Sequence, residues 1–124
     1  MNRIQFRRAV IELLYLKSME GDHREGQFDE EVIQVVDDCF LHLEEIDQII
    51  SDNLMNWTID RLNYVDKAII RYAVYEMIYT DTPTEIIINE AINLTKELTN
   101  LDDDQAKGFN NRLLDNISLK LKKK

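Results

Sequence analysis

The chain has 124 residues, 44% of them apolar, and a formal net charge of −9. That length fits one domain with a single core, and the negative charge argues against bulk attraction to nucleic acid. A lone Cys39 excludes an internal disulfide, and no apolar run reaches the ~18 residues needed to cross a bilayer.

Only three glycines and one proline punctuate the chain, and Ile, Leu, Asp, Glu and Asn are its commonest residues. This favours helix over sheet. The N-terminus, MNRIQFRRAV, is basic but has no apolar stretch or small-residue cleavage site. No secretion signal is expected, and the cytoplasm is the expected location.

The first predicted helix runs from Ile4 to Met19, with Phe6, Val10, Ile11, Leu13 and Leu14 as its apolar face. Gly21 and Gly26 bracket a polar loop. A second helical stretch covers Asp29–Ser51, where Val32, Val35, Val36, Phe40, Leu43 and Ile46 recur at steps of three and four. Its length allows two helices. A short helix is expected around Leu54–Leu62, capped by Asp52. The next, Tyr64–Tyr79, is apolar nearly all round, which marks the buried centre of a bundle. Its charges, Asp66, Lys67, Arg71 and Glu76, should sit at edges or in pairs, with Arg71 and Glu76 in structural polar contacts.

Thr82-Pro83-Thr84-Glu85 then reads as a helix start: Thr82 as cap, Pro83 in the first position, Glu85 closing a capping box. Ile87, Ala91, Leu94, Leu98 and Leu101 form one stripe of that helix. Asp102, Asp103 and Asp104 open a last helix and lysines close it, which complements the helix dipole.

Charge is unevenly placed. Residues 1–19 carry Arg3, Arg7, Arg8 and Lys17 against Glu12 alone. Residues 20–66 carry fourteen acids against Arg24 and Arg61. The last seven residues carry Lys120, Lys122, Lys123 and Lys124 and no acid. Two basic ends around an acidic middle fit a plain solvated surface. They also fit two faces, one for a polyanion and one for a basic partner.

The usual chemical motifs are missing. His23 and His42 stand alone, and Cys39 has no Cys or His at ligand spacing, so no metal is expected. There is no phosphate-binding glycine loop and no nucleophile elbow. Neither an enzyme nor a cofactor is expected.

Four segments resemble the NusB family of bacterial transcription antitermination factors: RRAVIELLY (7–15), DRLNYVDKAIIRYAVYEMIYTDTP (60–83), INEAINLTKEL (88–98) and GFNNRLLD (108–115). They stand in the family's order and spacing. Residues from about 20 to 55 match by helical pattern and length alone.

The resemblance implies an all-α bundle of about six or seven helices in two packed three-helix subdomains, without catalysis. It implies one RNA-binding domain over residues 1–118, followed by a basic tail over 119–124 that is expected to be disordered and solvated. Family members bind boxA RNA together with the ribosomal protein NusE and join RNA polymerase in antitermination, notably on ribosomal RNA operons. They occur as monomers and as homodimers. The family's arginine-rich N-terminal segment corresponds here to Arg3, Arg7 and Arg8. The resemblance places Tyr15, Asp60 and Asp66 toward the protein partner.

The residues supply a physical case beside this. Arg3 and Arg7 are four apart, on one line of a helix. Leu14 shares that line, so the arginines are expected beyond the end of the core. Arginine can grip phosphate bidentately or stack on unpaired bases; the plain alternative is a solvated helix start. Tyr15 follows Arg8 by seven and lies off the main stripe, as an interface anchor or as packing at the core edge.

In the last motif, Asn111 matches the family's asparagine and is expected either to bond backbone in a tight helix contact or to touch RNA. Asn110 stands where the family has an aliphatic residue and is expected to weaken helix contact. Arg112 replaces a small residue and is expected either to loosen that contact or to join Lys107 in a basic patch. The N-terminal basic run is also thinner than the family's. Two other readings stay open. One is the related N-terminal domain of ribosomal RNA cytosine methyltransferases, disfavoured because nothing after residue 124 could bind S-adenosylmethionine. The other is a protein-interaction module on the same fold with little or no RNA binding.

Overall fold

The computed structural model describes residues 1–19, 25–99 and 104–122. Six α-helices account for most of them: α1 (Arg3–Ser18), α2 (Glu30–Leu41), α3 (Leu43–Asp52), α4 (Tyr64–Tyr79), α5 (Thr84–Thr99) and α6 (Asp104–Lys122). Two short 3₁₀ turns lie at Glu25–Gln27 and Ile59–Arg61.

α1 opens on a reciprocal cap. The Asn2 side chain accepts the Gln5 N–H at 2.8 Å, and the Gln5 side chain accepts the Asn2 N–H at 3.2 Å. Two orphan donors of the first turn are thereby satisfied. The long second stretch is two helices. They part at His42, whose φ of −107° and ψ of 13° end α2 and begin α3.

The helix expected around Leu54–Leu62 does not form. Asp52 is the last residue of α3, Asn56 takes a left-handed φ of 60°, and only the 3₁₀ turn Ile59–Arg61 follows. Asn tolerates that conformation better than most residues, and one such residue breaks a helix.

α4 has the predicted bounds. Asn63 caps it, accepting the Asp66 N–H at 2.7 Å. α5 begins at Thr84, and the Pro83 carbonyl accepts the Ile87 N–H at 3.1 Å. Pro83 therefore stands just before the helix, one position earlier than the sequence suggests. α6 runs on to Lys122, past the expected start of the tail at 119. Leu101, Asp102, Asp103, Lys123 and Lys124 lie outside the described residues.

α4 lies at the centre and touches each of the other five helices. α1 packs on α2 and α2 on α3, while α5 and α6 pack on each other and on α4. Two three-helix groups thus share one core. Leu13 and Leu14 of α1, Val36 of α2, Ile46 and Ile50 of α3, Ile69 and Ile70 of α4 and Leu114 of α6 are all almost wholly buried in it. Each such side chain is worth about 1.5–3 kcal/mol when removed from water. No helix among the described residues is long and apolar enough to cross a membrane.

Candidate nucleic-acid interface

The three N-terminal arginines have three different environments. Arg3 is exposed, on the rim of a cleft of about 310 Å³ that Phe6, Tyr72 and Thr82 also line. Arg7 is turned inward and is 7% exposed. Its Nε and Nη2 donate to Glu76 Oε1 and Oε2 at 2.7 and 2.9 Å. That hydrogen-bonded carboxylate pushes the guanidinium's pKa up, against the opposing effect of burial. Arg8 is half-exposed and pairs with Glu97 on α5.

The expectation that Arg3 and Arg7 sit together beyond the core is therefore corrected. Arg7 lies on the apolar stripe, and α4 supplies a buried acid to meet it. Removing a charge from water is tolerable only with such a partner. Arg71 is held in the same way, by Asp47 at 2.8 Å through Nε and again through Nη2.

The residues of α6 also divide. Asn110 is 1% exposed, whereas Asn111 and Arg112 are exposed. Asn110 Nδ2 donates to Asp66 Oδ1 and to Thr95 Oγ1, both at 3.3 Å. The Thr95 hydroxyl donates to the Ala91 carbonyl at 2.8 Å. Asn63 Nδ2 donates to the other Asp66 oxygen, Oδ2, at 2.8 Å. One buried polar chain thus ties α4, α5 and α6 together.

The structural amide is accordingly Asn110, and Asn111 faces outward. The polar side chain at 110 does not leave a buried group unmet, because Asp66 and Thr95 meet it. Position 110 is three, four and seven residues before Leu113, Leu114 and Ile117. That spacing was the available signal that it belongs to the core.

Asn111 lines a cleft of about 350 Å³ between α5 and α6, with Asn89, Asp115 and Lys122. The Arg112 guanidinium lies back over Gly108, 3.6 Å from where a Cβ would stand. A side chain as small as alanine at 108 would only touch it at ordinary contact distance. Lys107, half-buried, is one turn from Asn111. Lys107 and Asn111 thus share one line of α6, and Arg112 lies beside it over Gly108. Arg8 is tied to α5 through Glu97.

Of the residues expected toward a protein partner, Tyr15 is half-buried and packs against the core. Asp60 is exposed on the 3₁₀ turn. Asp66 is 9% exposed, and both its oxygens and its N–H serve the buried chain described above. Asp66 is corrected from a surface contact to an internal acceptor. Among the described residues, no group of three or more His, Cys, Asp or Glu side chains could hold a metal ion.

Comparison with known proteins brings these observations together. The model of the NusB family matches residues 3–119. The transcription antitermination protein NusB of Treponema denticola is 54% identical over 80 residues, covering 64% of this chain. That match spans 57% of the relative, so the chain covers little more than half of its length. NusB of a Nitratiruptor species is 34% identical, over 97% of this chain and 94% of its own. Among solved structures, a chain from the crystal structure of antitermination factors NusB and NusE in complex with dsRNA has a TM-score of 0.77 and 26% identity. It covers 97% of this chain and 99% of that one.

Proposed function

The chain belongs to the NusB family, and on that premise we propose that it is a non-enzymatic transcription antitermination factor of the cytoplasm. It binds boxA-like single-stranded RNA together with the ribosomal protein NusE and joins RNA polymerase on ribosomal RNA operons. The observation that carries this reading is the family match over residues 3–119, nearly the whole chain.

The RNA face in this reading comprises Arg3, Arg8, Lys107, Asn111 and Arg112. Their cations supply affinity through phosphates, and Asn111 offers both a donor and an acceptor to a base edge. Arg8 is held by Glu97 in an exposed pair. Such pairs are weak in water, so a phosphate can replace the carboxylate. Arg7 acts from inside by fixing α1 on α4. The face for the basic partner comprises Tyr15 and Asp60, with Asp66 supporting the turn behind Asp60.

The test is a salt series with labelled boxA-like RNA. Log affinity should fall linearly with log salt, with a slope near −0.7 for each phosphate neutralised. Arg3→Ala and Arg8→Ala should each flatten that slope. RNA affinity absent even at low salt, with NusE still bound, would mean that this fold serves as a protein-interaction module alone.

A further inference from the structure

The cleft beside Arg3 has a floor of two buried side chains, each with a polar end that no described residue meets. Arg7, 7% exposed, gives Nε and Nη2 to Glu76, and its remaining nitrogen, Nη1, has no partner among the described residues. Tyr72, 6% exposed, has a hydroxyl with no hydrogen bond among the same residues. Neither atom is sealed from solvent, and both side chains line the cleft of about 310 Å³. Buried polar groups are normally met from within the protein, so two unmet ends at one cleft floor mark a place for a ligand.

The floor is rigid and rich in donors. The Tyr72 ring stacks on Tyr75, with centroids 5.8 Å apart. Burial and the charge of Glu76 push the Tyr72 phenol's pKa up, so its hydroxyl stays protonated and able to donate. The Thr80 hydroxyl, also at the cleft, already donates to the Glu76 carbonyl at 2.8 Å. The open groups are therefore an N–H and an O–H, which suit a ligand with acceptors. The floor carries no net charge, because Glu76 matches Arg7. Phe6, half-buried, adds an aromatic wall. The volume is at the lower end for small-ligand sites, about 300 Å³, and suits one ring system.

A phosphate fits this cleft poorly. Glu31 stands at its rim, and Asp29 and Glu30 line the adjoining hollow with Met1 and Phe6. These acids repel a nucleic-acid backbone on the α2 side and leave it the Arg3 side. A nucleobase fits: it is flat and uncharged, has a π-face for Phe6, and carries acceptors on its edge.

We propose that the cleft receives one unpaired base of the RNA, with Phe6 against its face, Arg7 Nη1 and the Tyr72 hydroxyl donating to its edge, and Arg3 at its phosphate. This inference rests on the RNA-binding reading above and adds a base-reading site to the phosphate contacts. Single-stranded RNA is commonly recognised in this way, by splayed bases stacked on aromatic rings and hydrogen-bonded at their edges. Uracil and guanine, with carbonyl oxygens on their edges, meet two donors better than adenine, which carries an amine there.

The experiment is an abasic scan. The full chain with saturating NusE is titrated with labelled boxA-like RNAs in which each nucleotide in turn lacks its base. Anisotropy gives the affinities of wild type, Tyr72→Phe and Phe6→Leu. Tyr72→Phe should weaken the intact RNA about 2- to 13-fold, the range of one neutral hydrogen bond. Phe6→Leu should weaken it about five-fold or more. One abasic position should weaken wild type, and at that position both variants should bind as well as wild type does. Thermal melts should find Tyr72→Phe as stable as wild type, because its hydroxyl holds no other part of the fold.

Wild-type RNA affinity in both variants, or variant losses that persist at every abasic position, would overturn the base pocket and leave the RNA reading intact. RNA that fails to bind with or without NusE would overturn the RNA reading and the pocket with it. Free ribonucleosides that still shift the Phe6 and Tyr72 ring resonances would then make the cleft a small-molecule site.

Discussion

Arg7 of α1 and Glu76 of α4 are 69 residues apart in sequence and meet through two parallel hydrogen bonds, at 2.7 and 2.9 Å. Both side chains are almost excluded from water. The pair fixes the first helix to the central one, and it takes one arginine of the N-terminal run away from the surface.

Arg7→Ala should lower unfolding stability by about 3–5 kcal/mol, because it strands the buried Glu76 carboxylate. Arg3→Ala, at an exposed position, should stay within about 0.5 kcal/mol of wild type. Urea unfolding of the two variants checks this. A loss of RNA binding in an Arg3→Ala/Arg7→Ala double variant would therefore mix two effects, whereas Arg3→Ala alone reports on the surface.

Asn110→Ala removes the donor that Asp66 and Thr95 share. The expected cost is about 1–3 kcal/mol, the range for leaving a buried polar group unmet. Asn111→Ala, one residue along but exposed, should be close to neutral in the same thermal or urea melt. Equal effects at the two positions would contradict the assignment of the structural amide to Asn110.

Alkaline pH should destabilise the fold. Burial, aided by the charges of Asp38 and Glu76, pushes the Cys39 thiol up to about 12. Burial and the hydrogen bond to Asp38 raise Tyr75, and the hydrogen bond to Glu45 raises Tyr79 to about 12. The folded chain keeps protons that the unfolded chain releases from about pH 8.5 to 10. Stability is then full below that range and falls as pH rises toward 12. Denaturant midpoints at pH 7, 9 and 10.5 should decline in that order. Native Cys39 should also resist alkylation at pH 8 and react once urea unfolds the chain.

In the proposed RNA face, Glu97 would compete with RNA for Arg8. Glu97→Gln keeps the shape of the side chain and removes its charge, so RNA affinity at low salt should rise by a factor of about two to five, a fraction of what a surface pair is worth. The gain should shrink as salt increases. Unchanged affinity in the Glu97→Gln variant would place Arg8 outside the RNA face.

The helices were legible where apolar spacing is long and regular. α4 was foreseen at its observed bounds because an all-apolar helix has one place to go. The split at His42 was foreseen only as a possibility of length, since no Gly or Pro marks it. The helix expected near Leu54–Leu62 failed on a single left-handed asparagine, which periodicity does not register. Arg7 was placed on the right line of α1 but on the wrong side of the core edge. Its position depends on Glu76, a partner that only the tertiary fold brings near. Asn110 sat on a readable core stripe with Leu113 and Leu114, yet the acid and hydroxyl that satisfy it come from two other helices. Asp66 is buried for the same reason. The exposed site residues Arg3, Asn111, Arg112 and Asp60 are those whose surface position the local pattern already allowed.

Joint binding of RNA and NusE, the core of the proposed function, is read from the affinity of a labelled boxA-like RNA at fixed moderate salt, with and without saturating NusE. NusE should tighten RNA binding, by about 5- to 150-fold for the usual size of such coupling, and RNA should tighten NusE binding by the same factor. NusE bound firmly, with RNA affinity absent or unaltered by its presence, would contradict it.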